Sequence, residues 1–178
     1  MAEEMEEPQI KHIAPADLSE GLLGKPLLDL NNASAQELSW LAPEGLTHLV
    51  AQAFLACRIG DADAFLLAFD QSARYDSPNF LWFQSRYERF VYVDRIVVAK
   101  PMRGRGYARY LYQDLFERAS QVGHERVVCE INAVPPNPAS DAFHRALGFH
   151  QVGMAAVHHG TKTVRYFSYD LSAQLTLK

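Results

Sequence analysis

Residues 96–108, with the sequence IVVAKPMRGRGYA, join an apolar β-type segment directly to a turn that opens an amphipathic helix. Gly104 and Gly106 have no Cβ, so the backbone can press its N–H groups against a ligand. The first helical turn beyond them carries N–H groups without intrahelical partners and the positive end of the helix dipole. The stretch therefore predicts a diphosphate-binding turn, to which Arg103 and Arg105 add cationic donors.

Two widespread phosphate-binding patterns do not fit these residues. The dinucleotide pattern G-x-G-x-x-G/A fails because Arg109 stands where a third small residue is needed for close helix packing. A Walker loop fails because no G-K-[ST] follows. The remaining alternative is an ordinary turn, in which glycine serves the geometry and arginine the solubility.

A second informative segment covers residues 127–149, with the sequence VVCEINAVPPNPASDAFHRALGF. Asn137 is a good N-cap, and Pro138 suits the first position of a helix. Gly148 stands where a helix ends in the left-handed conformation, and Phe149 is placed to pack back on that helix. The pattern predicts a β-rich run, a loop and a helix over residues 137–147.

Together the two segments resemble the GNAT acetyltransferase superfamily. The pattern [QR]-x-x-G-x-[GA] of its acetyl-CoA pyrophosphate loop is met by Arg103, Gly106 and Ala108. Family members commonly carry Asn-Pro-x-Ser followed by Phe-Tyr and Leu-Gly-Phe, matched here by Asn137, Pro138, Ser140, Phe143, Leu147, Gly148 and Phe149. His144 stands where the family usually has tyrosine. The matched region is about a third of the chain.

Composition and charge limit the class of protein. The 178 residues are 48% hydrophobic and contain no linker-like stretch, so we expect a single domain over residues 1–178. Residues 1–8 are expected to form a flexible acidic N-terminus. The 17 basic against 21 acidic residues leave no basic surplus of the kind that nucleic-acid and anionic-membrane binders show. Neither nucleic acid nor a membrane is expected as a partner.

Compartment and metal content follow from three further features. No apolar stretch approaches the roughly 20 residues that span a bilayer, and the N-terminus is acidic where a signal peptide is basic, which predicts a cytoplasmic protein. Cys57 and Cys129 lie in apolar surroundings that favour reduced core thiols. The adjacent His158 and His159 have no further ligands at zinc spacing, so no metal site is expected.

The hydrophobic pattern predicts an α+β order, β-α-α-β-β-β-α-β-α-β-β. The strands are expected over residues 9–13, 54–59, 64–69, 90–98, 126–131, 149–158 and 163–170. Two or three short helices are expected within residues 16–51, with longer ones over 104–122 and 137–147. The resemblance implies a GNAT-like three-layer arrangement, with a mixed, mostly antiparallel sheet of about six or seven strands flanked by helices. It also makes the helices of residues 16–51 a flap over the acceptor.

The resemblance implies acetyl-CoA as cofactor and transfer of its acetyl group to an amine of a small molecule or peptide, by direct attack on the thioester. An ammonium must first lose a proton, for which a carboxylate or a water relay is suited. Glu130, near the predicted end of its strand and facing the loop, is one candidate base. Asp94 on the neighbouring strand and water are the others. His144 is the candidate acid for the departing thiolate, or else a polar contact to the pantetheine arm or a helix-surface residue.

The resemblance also implies a set of cofactor-binding residues. In GNAT folds the strand before the phosphate turn splays from its neighbour and frees main-chain groups, which maps to Ile96, Val97 and Val98. The turn adds six residues and the second motif adds one, namely Arg103, Gly104, Arg105, Gly106, Tyr107, Ala108 and Asn137.

The acceptor side is indicated by aromatic residues upstream of the cofactor strand. Five of them are candidates to line an acceptor pocket, with core packing expected for at least half: Phe80, Trp82, Phe83, Tyr87 and Tyr92. Arg86 and Arg89 would favour an acidic acceptor or simply face solvent. A catalytically silent acyl-CoA-binding module and an unrelated phosphate-binding domain stay open as other functions. The oligomeric state is also open, a homodimer included.

Overall fold

The strands of the chain form one mixed sheet. In the computed structural model, which describes residues 7–19 and 23–172, they are β1 (Ile10–His12), β2 (Leu55–Ile59), β3 (Ala64–Asp70), β4 (Phe90–Val98), β5 (Arg126–Val134), β6 (His150–Val157) and β7 (Lys162–Asp170). Their hydrogen-bonded order is β1-β2-β3-β4-β5-β7-β6. The β4–β5 pair is parallel, whereas β1–β2, β5–β7 and β6–β7 are antiparallel. The predicted α+β class with a mixed, mostly antiparallel sheet is confirmed.

Helices of five to fifteen residues accompany the sheet. Within the described residues they are α1 (Pro15–Ser19), α2 (Gly24–Asn32), α3 (Pro43–Gln52), α4 (Pro78–Gln84), α5 (Tyr107–Gln121) and α6 (Pro138–Leu147). A 3₁₀ turn, Lys100–Met102, precedes α5. None of these helices has both the length and the apolar character that crossing a membrane would require.

The boundaries of two elements change the interpretation of the sequence. β5 continues to Val134, past its predicted end at residue 131, so Glu130 lies in mid-strand and not near the strand end facing the loop. α5 begins at Tyr107, three residues after the predicted start at residue 104. Residues 20–22 of the predicted helical region and residues 1–6 of the predicted flexible N-terminus lie outside the described residues.

Helix α4 is the element that the predicted order lacks. Its sequence, PNFLWFQ, is rich in aromatic residues, which indicate a pocket lining but no particular secondary structure. The sequence nevertheless contains a signal for the start of a helix, because Ser77 occupies the N-cap and Pro78 the first helical position. The aromatic side chains obscured this signal because they are typical of strands.

Backbone contacts divide the chain into two compact units. Unit 1 comprises Met1–Ala51, Leu55–Leu67 and Arg95–Gln113, and unit 2 comprises Gln52–Phe54, Ala68–Asp94 and Asp114–Lys178. The expectation of a single domain stays a prediction. Cys57 in unit 1 and Cys129 in unit 2 are both buried, and neither forms a disulfide within the described residues, in agreement with the prediction of core thiols.

Unit 1 combines apolar burial with a buried polar network. Leu27 and Leu46 are at most 3% exposed. Arg95 is also buried, and its Nη1 donates to Asn31 Oδ1 at 2.6 Å. Asn31 Nδ2 in turn donates to the Ser39 carbonyl at 3.0 Å. A buried guanidinium requires such partners because burying an unpaired charge is costly, and the network fastens the loop that follows α2.

Unit 2 has an aromatic core beneath α4. Phe80 and Phe83 of this helix are fully buried, and their rings lie 5.7 and 6.4 Å from the ring of Phe90 on β4. Tyr92, two residues further along β4, lies 5.9 Å from Phe83. Because successive residues of a strand point to opposite faces, α4 covers the face to which Phe90 and Tyr92 belong.

The other face of unit 2 is covered by α6. Asp141 Oδ1 lies 3.3 Å from Arg165 Nη2 on β7, and the Arg145 guanidinium lies 5.0 Å from the ring centre of Phe167. Tyr166, between these two β7 residues, instead stacks on Trp82 of α4. The two helices therefore pack on opposite faces of β7.

Candidate active site

The phosphate turn, residues 103–108, belongs to unit 1. Gly104 and Gly106 both have φ of +79°, in the left-handed region that favours glycine. Among the residues that the structure describes, a Cβ on Gly104 would meet nothing within 4 Å, and one on Gly106 would meet only the Tyr110 ring at 3.6 Å. Backbone conformation, and not crowding, therefore requires glycine at both positions.

The start of α5 leaves backbone donors directed out of the helix. The Gly106 carbonyl accepts the first helical hydrogen bond, from Tyr110 N–H at 3.1 Å. The N–H groups of the first turn, including those of Tyr107 and Ala108, have no acceptor within a helix. Since Gly104, Arg105 and Gly106 are exposed, the turn has the donors and the access that an anionic group needs.

Residues 96–98 form the end of β4, immediately before the turn. Val97 is 5% exposed, which agrees with a core role for its side chain. The Val98 carbonyl accepts a hydrogen bond from Arg103 Nε at 3.3 Å, and the Ala99 N–H donates to the Asp63 carbonyl at 2.8 Å. The cofactor roles of Ile96, Val97 and Val98 stay predictions.

The carboxylate cluster, which we define as Tyr75, Asn79, Tyr92, Asp94, Glu130 and Tyr166, belongs to unit 2. β4 and β5 are paired from Phe90 with Arg126 to Tyr92 with Val128. Asp94 and Glu130 come two residues later on their strands, so both lie on the face that α4 covers. Glu130 also lies directly opposite Tyr166 in the antiparallel β5–β7 pair.

Glu130 has the most altered acidity of the predicted site residues. Burial and, to a smaller extent, the neighbouring Asp94 raise its pKa, hydrogen bonds with Tyr92 and Asn79 oppose the rise, and the resulting pKa is about 7. Its Oε2 is buried and makes no hydrogen bond within the described residues. A carboxyl group that ionises near neutrality, with one oxygen unsatisfied, has the properties of a general base.

Asp94 is held by a side chain that the sequence analysis did not select. The Tyr75 hydroxyl donates to Asp94 Oδ1 at 2.7 Å. The Tyr75 ring lies 4.7 Å from Phe69 and 5.8 Å from Phe80, so aromatic packing positions the hydroxyl. The structure therefore places both candidate bases in one cluster.

Tyr166 connects Glu130 to α4. Its hydroxyl donates to Asn79 Oδ1 at 3.0 Å, and burial together with Glu130 raises its pKa to about 12. The Tyr166 ring stacks on Trp82 at 4.2 Å, and the Arg86 guanidinium lies 3.8 Å from the Trp82 ring centre. Gly153 leaves room for Trp82, because a Cβ there would lie 2.5 Å from the indole.

His144 lies in a different environment from Glu130. It is 4% exposed on α6, the helix that packs on the opposite face of β7. Its Nδ1 lies 2.7 Å from the Ser140 carbonyl oxygen, which only accepts, so Nδ1 carries the proton. Burial lowers the pKa of His144, although the Ser140 carbonyl and Asp141 oppose this. That direction reduces the protonated fraction, and the acid role stays a prediction.

Helix α6 has the caps that its sequence predicts. The Asn137 side chain accepts a hydrogen bond from Ser140 N–H at 3.2 Å. Gly148 has φ of +104°, and Phe149 N–H donates to the His144 carbonyl at 3.0 Å, which is the Schellman pattern. The N-cap role of Asn137 is confirmed, and its cofactor role stays a prediction.

The five aromatic candidates for the acceptor pocket divide between core and surface. Phe80, Phe83 and Tyr92 are at most 1% exposed, whereas Trp82 and Tyr87 are partly exposed. Sequence analysis missed the cluster members Tyr75, Asn79 and Tyr166. Aligning the predicted β5 with the last predicted strand would have brought Tyr166 beside Glu130, but no local pattern marks Tyr75 or Asn79.

Comparison with known proteins supports the fold and the family. Ard1 from Thermoplasma volcanium is 11% identical, with a TM-score of 0.68 over 91% of this chain and 96% of that one. Arabidopsis thaliana NAA60 in complex with acetyl-CoA is 17% identical, with a TM-score of 0.64 over 92% and 98% of the two chains. The putative acetyltransferase yncA from Salmonella typhimurium, with its cofactor acetyl-CoA, is 15% identical, with a TM-score of 0.65 over 93% and 95%.

At these identities the structural likeness shows the fold alone, and no curated protein matches the chain. A family model gives the further evidence, because the model described as "Acetyltransferase (GNAT) family" matches residues 36–149. That match includes the phosphate turn, the carboxylates Asp94 and Glu130, and the whole of α6. The chain therefore belongs to the acetyltransferase (GNAT) family.

Proposed function

We propose that this chain is an acetyl-CoA-dependent N-acetyltransferase that acts on an amine of a small molecule or peptide. The observation that carries the proposal is Glu130, a carboxyl group with a pKa of about 7 and a buried oxygen without a hydrogen bond in the described residues. A base of this strength at neutral pH suits proton removal from an ammonium. Family membership supplies the reaction class.

The phosphate turn fits the diphosphate of coenzyme A. Two left-handed glycines direct backbone N–H groups outward at the start of α5, and an anion there also gains from the helix dipole. The side chains of Arg103 and Arg105, both exposed, would add charge-assisted hydrogen bonds. Bound acetyl-CoA would supply a thioester, whose carbonyl carbon accepts the amine nitrogen and whose sulfur leaves as the thiol.

Glu130 would take the proton of the acceptor ammonium, directly or through a water molecule. It would accept this proton in its ionised form and return it to solvent after the transfer. Asp94, held by the Tyr75 hydroxyl, is the neighbouring carboxylate, and Asp94 and water stay the alternative bases. His144 is the proposed proton donor to sulfur, although its lowered pKa reduces the protonated fraction at neutral pH and so weakens this role.

Two measurements test the proposal. Calorimetric titration with CoA, acetyl-CoA and ATP should show binding of both CoA forms and a clear preference over ATP. Release of free thiol from acetyl-CoA should then increase with at least one member of an amine panel that includes small amines, amino acids and peptides. Binding of ATP in preference to CoA would exclude the proposed function.

A catalytically silent acyl-CoA-binding module is the second candidate. It is favoured by His144, because the usual tyrosine is replaced by a buried imidazole whose pKa is lowered. CoA binding without thiol release across the panel would support it. A cytoplasmic location and a homodimer stay predictions from the sequence.

A further inference from the structure

Two carboxylates lie on adjacent parallel strands and on the same face of the sheet in unit 2. Asp94 on β4 and Glu130 on β5 each follow the last paired residues, Tyr92 and Val128, by two positions. Because the side chains of such neighbouring positions share one face of the sheet, the two carboxyl groups are neighbours, in agreement with the contribution of Asp94 to the raised pKa of Glu130. Only one of them is needed to accept a proton, so the second requires its own explanation.

The hydrogen-bond pattern distinguishes the two carboxylates. Asp94 Oδ1 accepts from the Tyr75 hydroxyl at 2.7 Å, in a geometry fixed by the Tyr75 ring packing on Phe69 and Phe80. Glu130 keeps Oε2 buried and without a hydrogen bond in the described residues. The Tyr75 hydroxyl therefore fixes the position of the Asp94 carboxyl group, whereas Glu130 retains an oxygen able to bind a proton.

We propose that Tyr75 and Asp94 form a positioning pair, in which the hydroxyl holds the Asp94 carboxylate beside Glu130 as a fixed negative charge. This charge strengthens Glu130 as a base and attracts a cationic amine. The inference rests on the proposed function and deepens it, because it assigns Tyr75 and Asp94 a positioning role toward the proposed base. Asp94 acts through Glu130 and through the field at the acceptor, without exchanging a proton itself.

Within the described residues, the other charged and titratable groups around Glu130 come from two strands and from the segment that follows α4. β4 contributes Tyr92 and β7 contributes Tyr166. Arg86 follows α4, and its guanidinium lies over the Trp82 ring. Tyr92 and Tyr166 have raised pKa values and stay neutral below pH 9. Arg86 carries one constant positive charge over the same range. Asp94 is therefore the negative charge whose removal should change Glu130 most.

The direct test is a ¹³C NMR titration of the Glu130 carboxyl in the free protein, with the resonance assigned from Glu130→Gln. In Asp94→Asn, which keeps the size and the acceptor oxygen of the side chain, the pKa of Glu130 should fall from about 7 to about 6. Tyr75→Phe keeps the aromatic packing and removes only the hydroxyl, and should give a smaller fall in the same direction. Asp114→Asn, which removes a carboxylate bound to Arg118 on α5, is the matched control and should leave the value unchanged.

An unchanged Glu130 pKa in Asp94→Asn overturns the pair, and an unchanged value in Tyr75→Phe overturns the part assigned to Tyr75. This readout needs no turnover, so it stands even if every amine of the panel fails as a substrate, a result that would count against the proposed function alone.

With an active amine, a second readout separates positioning from structural support. Asp94→Asn should shift the acidic limb of kcat/KM to lower pH by about one unit and raise KM for the amine about tenfold. If Asp94 had only a structural role, Asp94→Asn would lower kcat equally at every pH and would leave the pH of the acidic limb unchanged. That result would also overturn the proposal.

Discussion

The phosphate turn and the carboxylate cluster differ in what carries their chemistry. The turn is six consecutive residues whose donors belong to the backbone, and its glycines are required by φ values of +79°. The cluster is assembled from side chains of the loop before α4, α4 itself, β4, β5 and β7, and its properties arise from burial and a neighbouring charge. The proposed cofactor site is therefore specified by a local motif, whereas the acidity of the proposed base depends on the tertiary fold.

Replacing the base should have the largest effect. Glu130→Gln keeps the size of the side chain and removes proton transfer, so kcat should fall by about 10²–10⁴-fold. The acidic limb of the pH profile, expected near pH 7 in the native protein, should disappear. Thiol release from acetyl-CoA measured between pH 5.5 and 9 checks both. If the variant keeps more than about a tenth of the native rate, water or another group is the base.

The same substitution should stabilise the protein, because the site favours the neutral carboxyl. The pKa of Glu130 is raised from 4.5 to about 7 in the folded state, so its favourable contribution is complete below pH 4.5 and is lost as pH rises through 7. At pH 8 Glu130→Gln should therefore raise the free energy of unfolding by up to about 3 kcal/mol relative to the native protein. Urea denaturation at pH 4.5 and pH 8 measures this. Equal stability differences at both pH values would contradict the raised pKa.

Changes in the phosphate turn should weaken CoA binding and leave the acidity of the cluster unaltered. Arg103→Ala should cost about 1.5–3 kcal/mol of binding free energy if its phosphate contact is charge-assisted. Gly106→Ala should lower CoA affinity about tenfold, because a Cβ strains a left-handed position and obstructs the approach of a ligand to the backbone. Calorimetric titration with CoA measures the loss of affinity in both variants.

Gly160→Ala is the matched control for the glycine. Gly160 has φ of +84° and open space around its Cβ position, but it belongs to the β6–β7 turn. The two alanine variants should lose similar stability, about 1 kcal/mol each, while CoA affinity falls only in Gly106→Ala. Equal CoA affinities in the two variants would show that the diphosphate does not bind at the turn of residues 103–108.

His144 should show the smallest effect. Asn at this position can still donate to the Ser140 carbonyl through its amide, as Nδ1 does, but it has no group in place of Nε2. Because the pKa of His144 is lowered, we expect His144→Asn to reduce kcat by less than about tenfold, with CoA affinity unchanged. A loss as large as that of Glu130→Gln would show that His144 is the principal acid despite its burial.

The two regions also differ in how far the sequence predicts them. The turn and the caps of α6 were predictable because each depends on neighbouring residues, such as Gly148 after a helix or Asn137 before Pro138. Glu130 was selected, but its position was misjudged because the end of β5 is set by pairing with β7 and not by its own sequence. Tyr75 and Asn79 had no local signal, since their roles exist only once α4 and the preceding loop pack on the sheet. Similarly, the pKa of His144 depends on burial that a helical pattern does not reveal.

A crystal structure of the chain with acetyl-CoA is the most direct test of the central claim, that the backbone of residues 103–108 binds the cofactor's diphosphate. The account predicts diphosphate oxygens about 3 Å from backbone nitrogens of Gly104 to Ala108, at the start of α5. Acetyl-CoA bound with its diphosphate away from this turn, or a turn occupied by protein side chains in the same crystals, would contradict it.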